Sequence, residues 1–463
     1  MRPLRQPADT YRLIITRRSA SEILLVPRGR TWTLPLVEIE RHQRIAEQLN
    51  SEAARVWGIE TYCLFCSRDA ESSQPEPCSF AVMESVKQNA APPPEASWMP
   101  SSAAAEYCGL ADAAAVRTAL AEMSAYATGQ KRGPFSRPGW MRDLFAWTNE
   151  QLMPLGIRLT GTFRQLNASP TFALIRLDVG EGAAWFKATG EPNSRELPIT
   201  AGLARLFPRH IPAIFGIHQE WNGWLAADVT GVSLDEAAGF REWKRVACDL
   251  AEFQIESIEQ IDELLQAQLR DLRGPVLIER IDPFIGRMSE FMAVQAKQDP
   301  APLAPSELAI LAQALKESCG LLENLGLPDT VGHTDCNPGN IIVSNERCVF
   351  LDWAEGCVMN PLLTFEYLRV YMTRSGVEQR AAAERLASAY LQPWNAFHSP
   401  EDLRRALALA PLLAVFAFAV SNDTWRTVDI NTSSTLVAYF RSLTRRMYRE
   451  AVQLVERSEP CLS

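Results

Sequence analysis

The chain has 463 residues, more than one compact core usually holds, so its length predicts two to four domains. Apolar residues make up 47% and charged residues 22%, which excludes a mainly disordered or fibrous protein. The net charge of −9 leaves no broad basic surface. We therefore expect no nucleic acid and no membrane among the partners.

Cysteine usage and the lack of export signals predict a cytoplasmic protein. Ten cysteines are too sparse for a disulfide scaffold. Cys63 and Cys66 form a CxxC pair with no second pair and no nearby histidines, which favours two cysteines at a strand end over a zinc or redox motif. The segment 1–18 lacks an apolar signal core, and the apolar run 406–420 is shorter than a membrane span and contains Pro411. That run predicts a buried helix.

The segment 1–130 alternates short strands with helices. Apolar runs predict strands over 11–16, 22–26, 61–65 and 79–86, and a helix over 43–56. Four prolines within 88–102 predict that this segment breaks any regular element. The Ala-rich segment 103–126 predicts a helix. The Gly-, Pro- and Arg/Lys-containing segment 129–138 that follows places the main domain boundary near residue 130.

The remaining 131–463 read as one domain of two lobes. Strands are predicted over 159–166, 172–178, 183–188, 214–219 and 224–229, with a helix over 195–207. Residues 235–325 and 362–457 are mainly helical, and 331–352 return to short strands and loops. A strand-rich lobe (about 140–229) before a helical lobe (about 230–463) is an α+β layout.

The residues that carry chemistry lie within 331–353. His333 and Asp335 are followed by Asn340, and an apolar strand then ends in Asp352. Phosphoryl transfer to a hydroxyl needs one carboxylate to orient that hydroxyl and accept its proton. It also needs a second carboxylate and an amide oxygen to hold Mg²⁺ against nucleotide phosphates. Alone, each residue is more often a turn, cap or structural residue, but the joint pattern favours catalysis.

The stretch HTDCNPGN with Asp352-Trp353 resembles the aminoglycoside phosphotransferase and choline-kinase-like group, which has a protein-kinase-like fold. The resemblance covers about residues 140–440. It implies that Asp335 is the catalytic base and that His333 braces its loop. It also implies that Asn340 and Asp352 hold Mg²⁺, with ATP or GTP as co-substrate.

A kinase-like lobe also needs a strand lysine that contacts the nucleotide phosphates and a helix glutamate that positions it. Lys187 follows the apolar run 183–186, is the only lysine between Lys131 and Lys244, and is the candidate lysine. Glu196 opens the next helix and is the natural partner, with Glu191 as an alternative. A solvated edge charge is the structural alternative for Lys187.

Three further segments can be compared with that family; one matches it and two differ from it. The phosphate-covering hairpin 166–172 has no glycine; Ser169 and Thr171 are its candidate phosphate contacts, although turn formation is the more common role. The segment 225–229 resembles the hinge that holds adenine, and Gly231 fits the glycine often found after it. The family's usual histidine in LxxLH is replaced by Gln254, which puts only packing in doubt.

Residues 11–65 resemble a Nudix domain, a smaller α/β unit before the kinase-like domain. Aligned on Gly58-Ile59, the Nudix helix keeps Glu52 but has Arg55 and Val56 where a metal-binding pair belongs. One carboxylate binds a strongly hydrated cation poorly. Residues 1–130 are therefore expected to be non-catalytic, and Nudix hydrolysis is disfavoured.

The sequence thus predicts a phosphotransferase with an alcohol group as acceptor. It would move the γ-phosphate of ATP or GTP to a hydroxyl of a small metabolite. The alternative is a pseudokinase-like protein that binds a nucleotide or metabolite without turnover. The glycine-free hairpin favours that alternative, and the joint presence of Asp335, Asn340, Asp352 and Lys187 opposes it.

Overall fold

The computed structural model describes residues 8–41, 44–68, 79–237, 239–374 and 379–458. Its Cα positions divide into two compact units: Met1–Leu197 with Ala213–Asp228, and Pro198–Pro212 with Val229–Ser463. This division groups the segment 1–130 with the strands of the expected N-lobe. The domain boundary near residue 130 stays a prediction.

The first unit contains two sheets and the helices that cover them. A seven-stranded sheet has the order β3-β2-β1-β6-β5, with β4 also paired to β1 and β7 to β2; β1 and β6 are parallel. A five-stranded sheet has the order β11-β12-β10-β9-β8. The strands are β1 (Ala8–Arg17), β2 (Glu22–Arg28), β3 (Thr31–Thr33), β4 (Leu36–Glu40), β5 (Thr61–Arg68), β6 (Ser79–Ser85), β7 (Ser97–Pro100), β8 (Leu159–Ala168), β9 (Ala173–Val179), β10 (Ala183–Ala188), β11 (Ile214–His218) and β12 (Gly223–Ala227). The helices are α1 (Ile45–Trp57), α2 (Ser101–Tyr107), α3 (Leu110–Ala127), α4 (Trp140–Leu152) and α5 (Glu196–Leu206), the last of which continues into the second unit.

Two predictions for the first unit are wrong. Residues 88–102 do contain a strand, β7, which pairs with β2. The strand is tolerated because three of the prolines precede it and Pro100 is its last residue, where no further ladder hydrogen bond is required of its nitrogen. The helix expected over 103–126 is two helices, since residues 108–109 between α2 and α3 are not helical. The predicted start of the first helix at residue 43 lies outside the described residues.

One apolar cluster joins both sheets of the first unit. It includes Ile14 and Leu64 from the seven-stranded sheet and Phe186 from the five-stranded sheet. The Phe186 ring packs edge-on against Phe135 and Trp147, with centroids 6.1 and 5.8 Å apart. Because side chains alternate across a strand, the neighbouring residues of β10 point to the opposite face of that sheet.

The second unit is mainly helical, with two small sheets that carry the 331–359 segment. The sheets have the orders β13-β16-β17 and β14-β18-β15. The strands are β13 (Val232–Ser233), β14 (Arg270–Asp271), β15 (Thr330–His333), β16 (Ile341–Val343), β17 (Cys348–Phe350) and β18 (Gly356–Met359). The helices are α6 (Phe240–Glu256), α7 (Ile261–Gln266), α8 (Gly274–Ala293), α9 (Pro305–Asn324), α10 (Pro361–Arg374), α11 (Gln379–Leu391), α12 (Pro400–Val420), α13 (Thr424–Thr427) and α14 (Ser434–Ser458). The α+β prediction is confirmed.

Helix α12 is the central helix of this unit. Its length and composition alone would allow a membrane span, but 67% of its most apolar stretch is buried inside the fold. Phe416, for example, has no exposed surface and packs edge-on against Phe284 of α8. The helix predicted over the apolar run is therefore present, and it packs within the second unit.

Candidate active site

The predicted site residues fall into three local groups. Lys187 with Glu196 forms one group and the hairpin residues Ser169 and Thr171 form another, both within the first unit. The segment 333–352 is the third group and belongs to the second unit.

Lys187 lies on the central strand of the five-stranded sheet, opposite Trp224 of β12. Its ammonium lies 5.8 Å from the centroid of the Trp224 ring and forms an ion pair with Glu196, the first residue of α5. The side chains of Lys187 and Glu196 are only 15% and 1% exposed, so this is a buried pair and not a solvated edge charge. The alternative partner, Glu191, instead accepts a hydrogen bond from the Ser194 hydroxyl at 2.7 Å.

The His333 ring connects two parts of the 333–352 segment. Its Nδ1 accepts a hydrogen bond from the Asp335 backbone N–H at 3.0 Å, so its proton is on Nε2, which faces the Leu351 carbonyl at 3.3 Å. The His333 backbone N–H donates to the Thr364 hydroxyl at 3.0 Å. Burial lowers the pKa of His333, and the smaller effects of the Asp352 and Asp335 charges oppose that shift. The ring is thus a neutral link between the loop of Asp335 and the strand end before Asp352.

Two asparagine amides fix the loop that carries Asp335. Asn337 Nδ2 donates to Asp335 Oδ2 at 3.1 Å, and its own Oδ1 accepts from the Gly339 N–H at 3.0 Å. Asn340 Nδ2 donates to the Asp335 carbonyl at 3.3 Å. The role of Asn337 was not predicted, although an asparagine before Pro-Gly, two residues after the aspartate, is a signal for this turn.

Asp352 has a left-handed backbone, with φ 62° and ψ 60°. This conformation costs a non-glycine residue about 1 kcal/mol or more, and such strain is concentrated at functional sites. The preceding residue, Leu351, donates its N–H to the Asn340 carbonyl at 2.8 Å, so the strand end and the Asn340 turn are tied together.

The donor set at this strand end fits Mg²⁺. The Asn340 amide nitrogen bonds the loop, which leaves the amide oxygen as its acceptor, and within the described residues no protein donor reaches that oxygen. Asp352 supplies a carboxylate on the residue that follows β17 and Leu351. Mg²⁺ prefers such hard oxygen ligands and usually takes only one or two from the protein, with phosphates and water completing its coordination.

The hairpin residues are used by the turn itself. Ser169 Oγ accepts a hydrogen bond from the Phe172 N–H at 2.9 Å, which closes the turn. Thr171 packs so closely on Gly190 that a Cβ at residue 190 would lie 2.5 Å from the Thr171 Cβ. A role in phosphate binding for either residue stays a prediction.

The structure explains the residues at two further positions that were compared with the family, Gly231 and Gln254. Gly231 approaches β16 so closely that a Cβ would lie 2.5 Å from the Val343 carbonyl oxygen, so close packing requires the glycine. Gln254 is fully buried; its amide nitrogen donates to the Pro361 carbonyl at 3.1 Å, and its oxygen accepts from the Tyr390 hydroxyl at 2.6 Å. The residue in place of the usual histidine therefore ties three helices through a satisfied polar network.

Comparison with known proteins finds one family model that matches the central part of the chain. Residues 211–406 match the model of the phosphotransferase enzyme family. No curated protein matches.

Solved structures that resemble the chain include an ethanolamine kinase from Plasmodium vivax (13% identity, 67% of this chain and 86% of that one, TM-score 0.45). A macrolide 2′-phosphotransferase from Brachybacterium faecium is 16% identical over 61% of this chain and 95% of its own, with a TM-score of 0.42. A choline kinase from Streptococcus pneumoniae is 14% identical over 68% and 99%, also with 0.42.

Proposed function

We propose that this protein is a small-molecule phosphotransferase that moves the γ-phosphoryl group of ATP or GTP to an alcohol. The family match over residues 211–406 supports phosphotransfer. The observation that carries the proposal is the fixed position of Asp335, whose loop is tied to His333 through its N–H and to Asn340 through its carbonyl. Three hydrogen bonds to the Asp335 backbone, one of them from the Asn337 N–H, and one to its carboxylate hold this residue in place.

Each residue has a separate task in the transfer. Asp335 orients the acceptor hydroxyl and takes its proton as the oxygen forms a bond to the γ-phosphorus. The bond from that phosphorus to the β–γ bridging oxygen breaks, and its electron pair leaves with the nucleoside diphosphate. Asn340 and Asp352 would hold Mg²⁺, which neutralises charge on the phosphates when bound. Lys187, positioned by Glu196, would contact the nucleotide phosphates.

Residues 1–130 are proposed to be non-catalytic, and their Nudix likeness stays a prediction, as does a cytoplasmic location. Both oxygens of Glu52 bond Arg55, at 3.0 and 2.6 Å, so the carboxylate retained from the Nudix pattern is already paired. Within the described ranges, no three of the residues His, Cys, Asp and Glu are grouped as a metal site would require.

The test is a phosphorylation screen of purified protein with Mg·ATP and Mg·GTP against small alcohols, each scored by phosphorylated product. Asp335→Asn should reduce transfer by about a thousandfold, since a positioned general base contributes 10²–10⁴-fold. Nucleotide affinity, measured by calorimetry, should change less than about twofold. Asp262→Asn, an exposed carboxylate on α7, is the matched control and should keep full activity.

Two outcomes oppose the proposal in different ways. Full turnover by Asp335→Asn would remove this residue from the role of base. Tight Mg·ATP binding with no phosphorylated product from any alcohol would favour the nucleotide-binding, non-catalytic alternative.

A further inference from the structure

A cavity of about 180 Å³ opens beside Asp335 within the second unit. Thr334 and Asp335 line one side, and α10, α12 and α14 supply the rest. A cavity of about 150 Å³ accommodates a benzene-sized molecule, so this one fits a single small ring or a short chain. The contents of this cavity would be next to the proposed catalytic base.

Most of the cavity wall is apolar or aromatic. Tyr367 of α10 and Phe418 of α12 contribute rings whose centroids lie 6.4 Å apart. The Tyr367 hydroxyl donates to the Ala414 carbonyl at 2.7 Å, so it is engaged by the fold. Selection of a ligand by its charge depends on the charged side chains of the wall.

Two carboxylates in this region are already paired with arginines. Glu366, which lines the cavity, is bound at both oxygens by Arg369, at 2.7 and 2.8 Å. Glu355, which ends the turn after Asp352, contacts Arg270 at 3.0 Å. Neither pair has a net charge, so neither favours a cationic ligand.

Arg446 is the basic residue of the cavity wall. It projects from α14, it is partly buried, and within the described residues its guanidinium has no hydrogen bond or ion pair. A planar guanidinium in a partly desolvated cavity is matched by a carboxylate or a phosphate. Burial raises the pKa of Tyr439. The Arg446 charge opposes that rise, and the Asp335 charge adds to it. The cavity is thus positive near Arg446 and negative at Asp335.

We propose that the cavity binds a small alcohol that also carries an anionic group, with its hydroxyl at Asp335 and the anion on Arg446. This inference rests on the proposed function, because it identifies the chemical class of the acceptor. The apolar wall between the two charged residues would hold the ring or chain that joins the two ends. An acceptor with a cationic group would meet the unpaired guanidinium and bind weakly.

The test uses three probes with one skeleton: 3-(hydroxymethyl)benzoate, 1,3-benzenedimethanol and 3-(hydroxymethyl)benzylamine. Binding to the full chain is measured by ligand-observed NMR with Mg·ADP present, and phosphorylation is measured with Mg·ATP. The acid should bind at least about tenfold more tightly than the diol, and the amine more weakly than both, as one charge-assisted bidentate contact implies. Arg446→Met should abolish this preference, Arg446→Lys should restore part of it, and Arg449→Met, an exposed arginine on the same helix, should leave it unchanged.

The outcomes test the inferred acceptor class independently of the proposed phosphotransferase reaction. Equal binding of acid, diol and amine overturns the inference, even if all three are phosphorylated and the phosphotransferase function stands. Acid preference that depends on Arg446, without any phosphorylation, supports the inference about the cavity and counts against the function. If Arg446→Met weakens Mg·ATP binding but leaves the acid preference intact, Arg446 contacts the nucleotide phosphates and the inference is overturned.

Discussion

Buried or partly buried carboxylates in two regions, residues 8–127 and residues 330–359, have different surroundings. In the first region, Asp112 uses both oxygens on the fold: Oδ1 bonds Arg12 at 2.8 Å, and Oδ2 accepts from the Thr33 hydroxyl at 2.6 Å and the Leu34 N–H at 3.0 Å. In the second, the Asp335 carboxylate accepts one side-chain bond, from Asn337, and lines a cavity.

This difference distinguishes carboxylates that only stabilise the fold from carboxylates that remain available to a substrate. A carboxylate whose acceptor sites are filled by backbone and side-chain donors stabilises the fold and is unavailable to a substrate. A carboxylate fixed through its backbone and one oxygen keeps the remaining acceptor sites for a hydroxyl or a proton. The Lys187–Glu196 pair has a structural and a chemical part. It is a buried ion pair at the five-stranded sheet, and Lys187 is also proposed to contact the nucleotide.

The largest expected effect on folding stability comes from the Lys187–Glu196 pair. Lys187→Met leaves the Glu196 carboxylate buried without its lysine, so the free energy of unfolding should fall by about 3–5 kcal/mol. Phosphoryl transfer should fall at least about a hundredfold because the phosphate contact is lost. Denaturant unfolding and product formation measure the two effects.

The double variant Lys187→Met/Glu196→Gln separates those effects. It should recover most of the stability, because the uncompensated charge is gone, while transfer stays low. Recovered transfer in the double variant would show that Lys187 acts only through stability.

The next effect tests a structural carboxylate. Asp112→Ala removes the partner of Arg12 and of two further donors, so the free energy of unfolding should fall by about 3 kcal/mol. Transfer per folded molecule should be unchanged. Asp9→Ala, which removes an exposed pair with Arg41, is the control and should cost less than about 1 kcal/mol. A large loss of turnover in folded Asp112→Ala would contradict the separation of structural from chemical carboxylates.

The smallest effect concerns His333, whose ring accepts a hydrogen bond from the Asp335 loop and is proposed to position it. His333→Ala removes the acceptor for the Asp335 N–H, and we expect about a tenfold loss of kcat with little change in nucleotide affinity. His398→Ala, on a residue outside the described site, is the control and should leave kcat unchanged.

His333 also gives a pH dependence of defined sign. The pKa of His333 is lowered by burial from its ordinary 6.5, so the unfolded chain binds more protons than the folded chain just below that pH. The free energy of unfolding should therefore decrease as pH falls from 6.5 towards the lowered pKa, and less steeply in His333→Ala. Equal slopes for the two proteins would contradict the neutral, buried ring.

Local patterns predicted most strands and helices because each depends on neighbouring residues. The strand 183–188 was predicted with the bounds that β10 has, and the α5 prediction was one residue too long at each end. The prediction failed at β7, where a short strand is formed by pairing with β2, a partner that lies far earlier in the chain. Proline content indicated a break there, but it does not report which edge a segment can join.

For the candidate site, the sequence by itself determined the residue types: two aspartates, an asparagine and a histidine at fixed spacing, and an isolated lysine that ends an apolar strand. Tertiary structure alone decided that Glu196 and not Glu191 pairs with Lys187, and that Glu355 is neutralised by Arg270 while Arg446 has no such partner among the described residues. The physical reason is that motif spacing is set along the chain, whereas the charge of a cavity depends on which side chains from distant helices meet there.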